Sequence, residues 1–260
     1  AEFAGNGKVY SAIFTPTPGP GGNASITVAA GTFTDAAGNP SGAAAPLGLT
    51  LDPADGVAVT AVTSSLADGA YREGASVTLH VVFSGVVNVT GTPVLALNTV
   101  PARTATYVSG TGSTTLSFNY AVQARDTADD LDSATTAALG LNGGTIVNLS
   151  GRAATLTLPA PGAAGSLAAA KDLRIDTTAP RIAITSNRLN LKAGETAQLS
   201  FALTESAEDF TAGDVSVTNG VLSAFAGSGR SYTAILTPTA NIRGVATIRV
   251  GAAAFSDAAG

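Results

Sequence analysis

Residues 76–83 read SVTLHVVF, and the spacing of their apolar side chains decides the fold. Val77, Leu79, Val81 and Phe83 fall on one side of a period of two; Thr78, His80 and Val82 fall on the other. A helix would need apolar residues three and four apart, whereas strict alternation marks a strand with one buried face. The pattern recurs outward from this run. In TTLSFNYAV (114–122), Leu116, Phe118 and Tyr120 alternate with Ser117, Asn119 and Ala121. Between Tyr107 and Leu116, the stretch VSGTGS (108–113) offers Gly110 and Gly112 where a tight hairpin requires positive φ. Further strand-like runs cover 57–63, 94–98, 153–158, 172–176, 181–186, 197–203, 231–237 and 245–250. No amphipathic helix of three turns is legible, and 126–139 has room for one short helical turn. Strands at this density, joined by turns, predict an all-β chain of tandem β-sandwiches.

Composition agrees. The 260 residues include five Tyr, nine Phe, and no Trp, Cys or Met. With 45% hydrophobic and 12% charged residues, disorder is excluded. Thirteen basic and 18 acidic side chains give a net charge of −5, and no Lys/Arg cluster forms a phosphate-binding footprint, so nucleic acid is no partner. Without cysteine there are no disulfides or thiolate metal sites. No apolar run approaches the roughly 20 residues needed to cross a bilayer, and no signal peptide opens the sequence, which puts any targeting element outside this window.

The chain also repeats itself. TFTDAAG at 32–38 returns as AFSDAAG at 254–260, and YSAIFTPTP returns as YTAILTPTA. At a fixed offset of 222, Phe3 falls on Phe225, Tyr10 on Tyr232, Ile26 on Ile248, Phe33 on Phe255 and Asp35 on Asp257, with no gap between 3–38 and 225–260. Two acidic, Pro-containing junctions, LTLDPADGVAVTAV (49–62) and LRIDTTAPRIAIT (173–185), set the expected boundaries. They give the C-terminal half of a repeat at 1–52, a complete domain at 53–178, and a repeat at 179–260 that lacks its last strand. The lengths close on the same offset when 179–260 is extended by the equivalent of 39–52. The repeat is cut out of phase at both ends, which predicts a window on a longer array. The strand equivalent to 46–51 is then missing from the third unit. Two readings follow: the window simply stops there, or residues 39–52 of one chain complete 179–260 of the next through the open edge.

The stretches VTSSLADGAYREGASVTLHVVFSGVVNVTGTPVLALN (62–98), RTATYVSGTGSTTLSFNYAVQARDTADDLD (103–132) and LNGGTIVNLSGRAATLTL (141–158) closely resemble one class of bacterial immunoglobulin-like repeat. DTTAP (176–180), FTAGDVSVTNGVLSAFAGSGRSYTAILTPTA (210–240) and FSDAAG (255–260) resemble a second class. Such repeats occur in very large surface proteins, including RTX-type adhesins and biofilm proteins, and the two resemblances cover nearly the whole chain. They imply tandem immunoglobulin-like β-sandwiches at the bacterial cell surface, exported and extracellular, whose partners are the neighbouring repeats of the same long chain.

Candidate metal residues lie in two places. RDTADDLD (125–132) packs Asp126, Asp129, Asp130 and Asp132 into seven residues. Calcium, which takes about six to eight oxygens, suits such a loop, although the spacing is not that of an EF-hand. The family resemblance implies the other reading, a helical turn capped by one Asp with the rest solvated. At the junctions, Asp52 and Asp55 lie near the first linker, and Asp172 and Asp176 near the second; Glu73 in YREGAS and Glu195 in KAGETA occupy equivalent places before a second strand. Related adhesin repeats use interdomain Ca²⁺, which implies Asp52 and Asp176 as ligands with Glu73 and Glu195 at the domain poles. Against this, Asp176 also suits an Asx-turn leading to Pro180. The candidate metal set is thus Asp52, Glu73, Asp126, Asp129, Asp176 and Glu195. The DAAG turn has a simpler reading: Asp35 accepts backbone N–H groups and Gly38 supplies positive φ, while NLSGR (148–152) places Asn148 at the Asp position.

No enzyme is expected. His80 is the only histidine, and it sits on the strand face opposite Leu79 and Val81, without the neighbours a triad or zinc site needs. The leading expectation is a structural stalk or extender, stiffened by short linkers and calcium. The alternatives are a glycan- or ligand-binding module, for which Tyr71 and Tyr107 are the aromatic candidates, and a strand-complemented, self-assembling filament or sheath subunit.

Overall fold

The computed structural model describes residues 3–16, 22–51, 56–192 and 194–260. Nearly all regular structure is strand, arranged in several antiparallel-rich sheets, and the fold is that of immunoglobulin-like β-sandwiches. Asp52 and Asp55, named above as junction carboxylates, lie outside the described residues.

Residues 3–51 form two strand pairs. β1 (Phe3–Asn6) and β2 (Val9–Ala12) make a hairpin, and β3 (Gly22–Ile26) pairs with β4 (Leu47–Leu51), Gly22 opposite Leu51 and Ile26 opposite Leu47. No described residue of this stretch is buried.

From Val57 to Ile175 the chain builds the larger core. Its strands are β5 (Val59–Ser64), β6 (Gly69–Tyr71), β7 (Ser76–Thr90), β8 (Val94–Ala96), β9 (Thr104–Ser109), β10 (Ser113–Ala121), β11 (Thr127–Ala128), β12 (Leu139–Gly140) and β13 (Thr145–Asn148), then β14 (Leu173–Asp176) after the short helix α1 (Leu167–Ala170). One sheet runs β12-β8-β9-β10-β7-β13, with β5 also on β7; the other runs β11-β14-β6. β7 and β10 are the two alternating runs of the sequence, and they pair directly, Leu79 opposite Phe118 and Val81 opposite Leu116. Val77, Leu79, Val81, Phe83, Leu116, Phe118 and Tyr120 all face inward and are buried. Each contributes roughly 1.5–3 kcal/mol relative to an exposed position. The hairpin joining β9 to β10 turns at Gly110 (φ 113°) and Gly112 (φ 76°).

Two local expectations fail. Residues 153–158 form no strand; Ala153 and Thr155 make only isolated bridges, to Val147 and Ala58. The region 126–139 holds no helical turn, only the two-residue strands β11 and β12 at its ends. The helical turn is α1, further along the chain, capped by Ser166. Asp132 reaches it from the acidic loop: its carboxylate accepts N–H bonds from Ser133 (2.7 Å), Gly162 (2.9 Å) and Leu167 (3.3 Å). An Asp of RDTADDLD therefore does hold the start of a helix, but one 35 residues away.

After β14, the smaller core spans Ala197 to Leu236 and recruits Phe255. Its elements are β15 (Ile182–Ser186), β16 (Ala197–Ala207), β17 (Val215–Thr218), β18 (Gly220–Pro238, bent at Gly227 and Gly229) and β19 (Thr247–Val250). β15-β16-β18 form one sheet and β17-β19 the other. Phe210 sits between them, its ring centroid 5.0 Å from Tyr232, 4.9 Å from Phe255 and 5.5 Å from Phe225.

Candidate functional site

The acidic loop resolves into separate tasks. Asp126 is fully buried, and its carboxylate accepts from Arg103 Nε (2.7 Å), Tyr120 Oη (2.7 Å) and Gln123 N (2.9 Å). Burial pushes its carboxyl up, but the bonds from Tyr120, Gln123 and Arg103 outweigh burial and hold it below the usual carboxylate range. Tyr120 moves the opposite way: burial, then the bond to Asp126, raise its hydroxyl well above the ordinary value. Three protein donors thus occupy Asp126, named above as a metal candidate, and its backbone carbonyl takes a bond from Thr177 Oγ1 at 3.1 Å. Asp130 is raised by burial and by the charges of Asp172 and Asp132.

The carboxylates that converge, among the described residues, are Asp176, Glu205 and Asp257, with one oxygen of each within 4.8 Å of the others. Three elements deliver them. Asp176 ends β14; its Oδ1 accepts from Thr178 N (3.0 Å), making the Asx-turn, while Oδ2 takes Arg174 Nη2 at 2.7 Å. Glu205 lies near the end of β16, at an inward position of the alternation that buries Ala197, Leu199, Phe201 and Leu203. The register of β16 against β18 breaks between Ala202 and Ala207, the stretch that carries Glu205. Asp257 starts the last SDAAG turn, where its Oδ1 accepts from Ala259 N at 2.7 Å. Asp209 pins that turn from beside it, taking Ser256 N at 2.7 Å and Ser256 Oγ at 3.0 Å. Burial first, then the charges of Asp176 and Asp257, push Glu205 above its ordinary value. The charges of Arg174 and Arg230 offset part of that rise.

The remaining candidates divide. Glu73 lines a cleft of about 680 Å³ together with Arg72, Asp176, Asp209 and Asp257. Asp129 lines an adjoining groove with Arg174, Asp176, Glu205 and Arg230. Across the first cleft, Arg72 Nη1 donates to Gly260 O at 2.6 Å. Glu195 belongs to neither: it accepts from Lys192 N (3.0 Å) and faces Arg188 (3.5 Å). Sequence reasoning missed Glu205, although a charged residue in the inward phase of a strand was a usable signal. It read Asp257 only as a turn residue, and Asp257 is one.

The DAAG turn has the geometry read from its residues. Asp35 accepts from Ala37 N and Asn39 N, each at 2.9 Å, beside Gly38 at φ 87°. Asn148 does the same for Ser150 N and Arg152 N, beside Gly151 at φ 80°. Other expected surface groups are engaged locally. His80 Nδ1 pairs with Ser117 Oγ across the strands (3.2 Å). Tyr71 donates to Ala67 O (2.6 Å), and Tyr107 accepts from Thr111 N (3.0 Å) while its ring meets the edge of Phe118.

A family model described as bacterial Ig-like domain matches residues 1–51 and 176–260, the two stretches that share the internal repeat. No curated protein matches the chain. Among solved structures, FdeC, a broadly conserved Escherichia coli adhesin, is similar with a TM-score of 0.38 and 11% sequence identity, over 95% of this chain and 84% of that one.

Proposed function

The chain belongs to the bacterial Ig-like domain family, and from that premise we propose that it is a non-enzymatic shaft segment of a bacterial cell-surface adhesin or biofilm protein, with calcium stiffening the junction between its units. The observation that carries this reading is the meeting of Asp176, from the strand that leaves the larger core, with Glu205 and Asp257 of the smaller one. Three carboxylates offer three to six of the oxygens that Ca²⁺ takes at about 2.3–2.6 Å, and backbone carbonyls and water complete the set. A cation there ties the linker to the following unit and offsets the carboxylate repulsion that adds to burial in raising Glu205. In this reading the units 53–178 and 179–260 are rigid bodies of a tandem array outside the cell, and their partners are the neighbouring repeats.

Thermal unfolding and small-angle scattering, each in millimolar Ca²⁺ and in EDTA, test both parts. A ligand that binds only the folded state adds about 2.7 kcal/mol at a hundredfold excess over Kd. The expected result is a lower Tm in EDTA and an extended particle in Ca²⁺. An unchanged Tm removes calcium from the account. A compact particle with the two cores folded back on one another removes the shaft.

A further inference from the structure

The larger core carries a cleft of its own, apart from the junction. β9 and β10 pair only as far as Thr106 opposite Asn119. Beyond that point each strand follows its outer neighbour, Thr104 opposite Ala96 on β8 and Ala121 opposite Ser76 on β7. The sheet opens between these two ends into a cleft of about 670 Å³. Small-molecule sites occupy roughly 300–1,000 Å³. Arg103, Thr104, Thr106, Tyr107, Asn119 and Gln123 line the cleft, and none of them lines the cleft or the groove at the junction.

Among the described residues, Arg103 is the one charged side chain of this lining. Fully buried Asp126 accepts from its Nε at 2.7 Å and fixes the guanidinium from behind. No other hydrogen bond among the described residues reaches that guanidinium, whose side chain is 27% exposed, so both Nη groups are left to the cleft. The ion pair is neutral as a whole and lies with its positive end toward the opening. Two Nη groups on a planar guanidinium match the two oxygens of a carboxylate. No acidic side chain among the described residues lines the cleft to compete for them.

The rest of the lining suits hydroxyl groups. Asn119 Oδ1 accepts from Ser76 Oγ at 2.6 Å, which leaves its amide NH₂ to donate. Tyr107 Oη accepts from Thr111 N at 3.0 Å and keeps its own proton to donate. The side chains of Thr104, Thr106 and Gln123 make no hydrogen bond among the described residues, and each can both donate and accept. A bare carboxylate would engage only the Arg103 end of this opening. A ligand with hydroxyls on several sides engages all of it. We propose that the cleft binds a carboxylate-bearing sugar, a uronic acid, with its carboxylate on the Arg103 Nη groups and its hydroxyls on Asn119, Gln123 and the two threonines.

The test uses the full chain in EDTA, so that calcium at the junction plays no part. Methyl glucuronide is the probe, read by saturation-transfer NMR and titration calorimetry. Saturable one-to-one binding is expected. Methyl glucoside, which has a hydroxymethyl group in place of the carboxylate, is expected to bind at least about tenfold more weakly, the loss of a charged hydrogen-bond pair. Acetate at the same concentration is expected not to displace the glucuronide. Arg103→Lys keeps a charge for Asp126 but loses the paired Nη groups, and it is expected to weaken binding by about tenfold as well. Thr106→Trp fills the opening from an exposed strand position and is expected to abolish binding with the unfolding midpoint unchanged. No saturable binding by the parent chain overturns the proposal. Equal affinity for glucuronide and glucoside, or displacement by acetate, also overturns it, as does parental affinity in folded Thr106→Trp.

Discussion

Asp126 has no exposed surface, yet three donors reach its carboxylate, and Arg103 matches its charge while remaining partly open to water. Truncation to Ala would leave Arg103, Tyr120 Oη and the Gln123 N–H without their acceptor inside the larger core. Stranding the partners of a buried charge is expected to cost about 3 kcal/mol, read from the denaturant midpoint. The carboxyl is held below its ordinary 3.8, so its contribution is complete above that pH and is lost as pH falls through the lower folded value. Asp126→Asn should therefore flatten the acid limb of the stability curve in that window, where the parent chain loses stability. Glu205 has the opposite sign. Its folded value lies above the ordinary 4.5, so the associated stability is full below 4.5 and is lost as pH rises through the folded value. In EDTA at pH 7, Glu205→Gln should raise stability by up to about 1 kcal/mol, a modest figure because the group is only half-buried. In Ca²⁺ the same substitution removes a ligand and should lower Tm. Melts of this one variant in the two buffers read the reversal directly, and a gain in both counts against calcium at the junction.

At the scale of elements, β7 and β10 were legible because each alternates without interruption, and burial of one face leaves a strand little choice of register. β11 and β12 were not legible, since two residues carry no period and exist only because β14 and β8 lie beside them. Residues 153–158 alternate well and still form only bridges; alternation specifies a face, not a partner edge. The site divides in the same way. The local turn chemistry of Asp176 and of the DAAG motif was readable, because an Asx-turn is written within a few residues. The convergence of Asp176 with Glu205 and Asp257 was not, because it depends on how one unit meets the next. Asp126 looked like a loop carboxylate because its partner Arg103 lies 23 residues earlier. Gly227 makes the hairpin argument testable. Its φ of 146° disfavours any side chain, and an added Cβ would lie 2.5 Å from the Cα of Tyr232, where only backbone movement gives relief. Gly227→Ala is expected to cost about 2–4 kcal/mol and to lower the unfolding transition of the smaller core alone.

For the whole molecule, the larger and smaller cores share no residue, so nothing apolar obliges them to unfold together. Among the described residues, the polar links between them are Arg72 on the Gly260 main-chain oxygen and the three carboxylates. One exposed hydrogen bond contributes only about 0.5–1.5 kcal/mol, too little to fuse two folding units. In EDTA, calorimetry should therefore resolve two transitions. A cation held by Asp176 from one side and by Glu205 and Asp257 from the other is lost when either side unfolds, so each unit then gains the binding free energy while its neighbour stays folded. Adding Ca²⁺ should raise the lower transition most and draw the pair together. Asp176→Asn removes the linker's share of the site without touching either core, and it should leave two separated transitions in Ca²⁺ as in EDTA. If the variant still merges them, the coupling does not pass through this carboxylate. If the parent chain keeps two transitions at every Ca²⁺ concentration, the junction is a hinge, and a shaft built of such units would bend where the linker leaves β14.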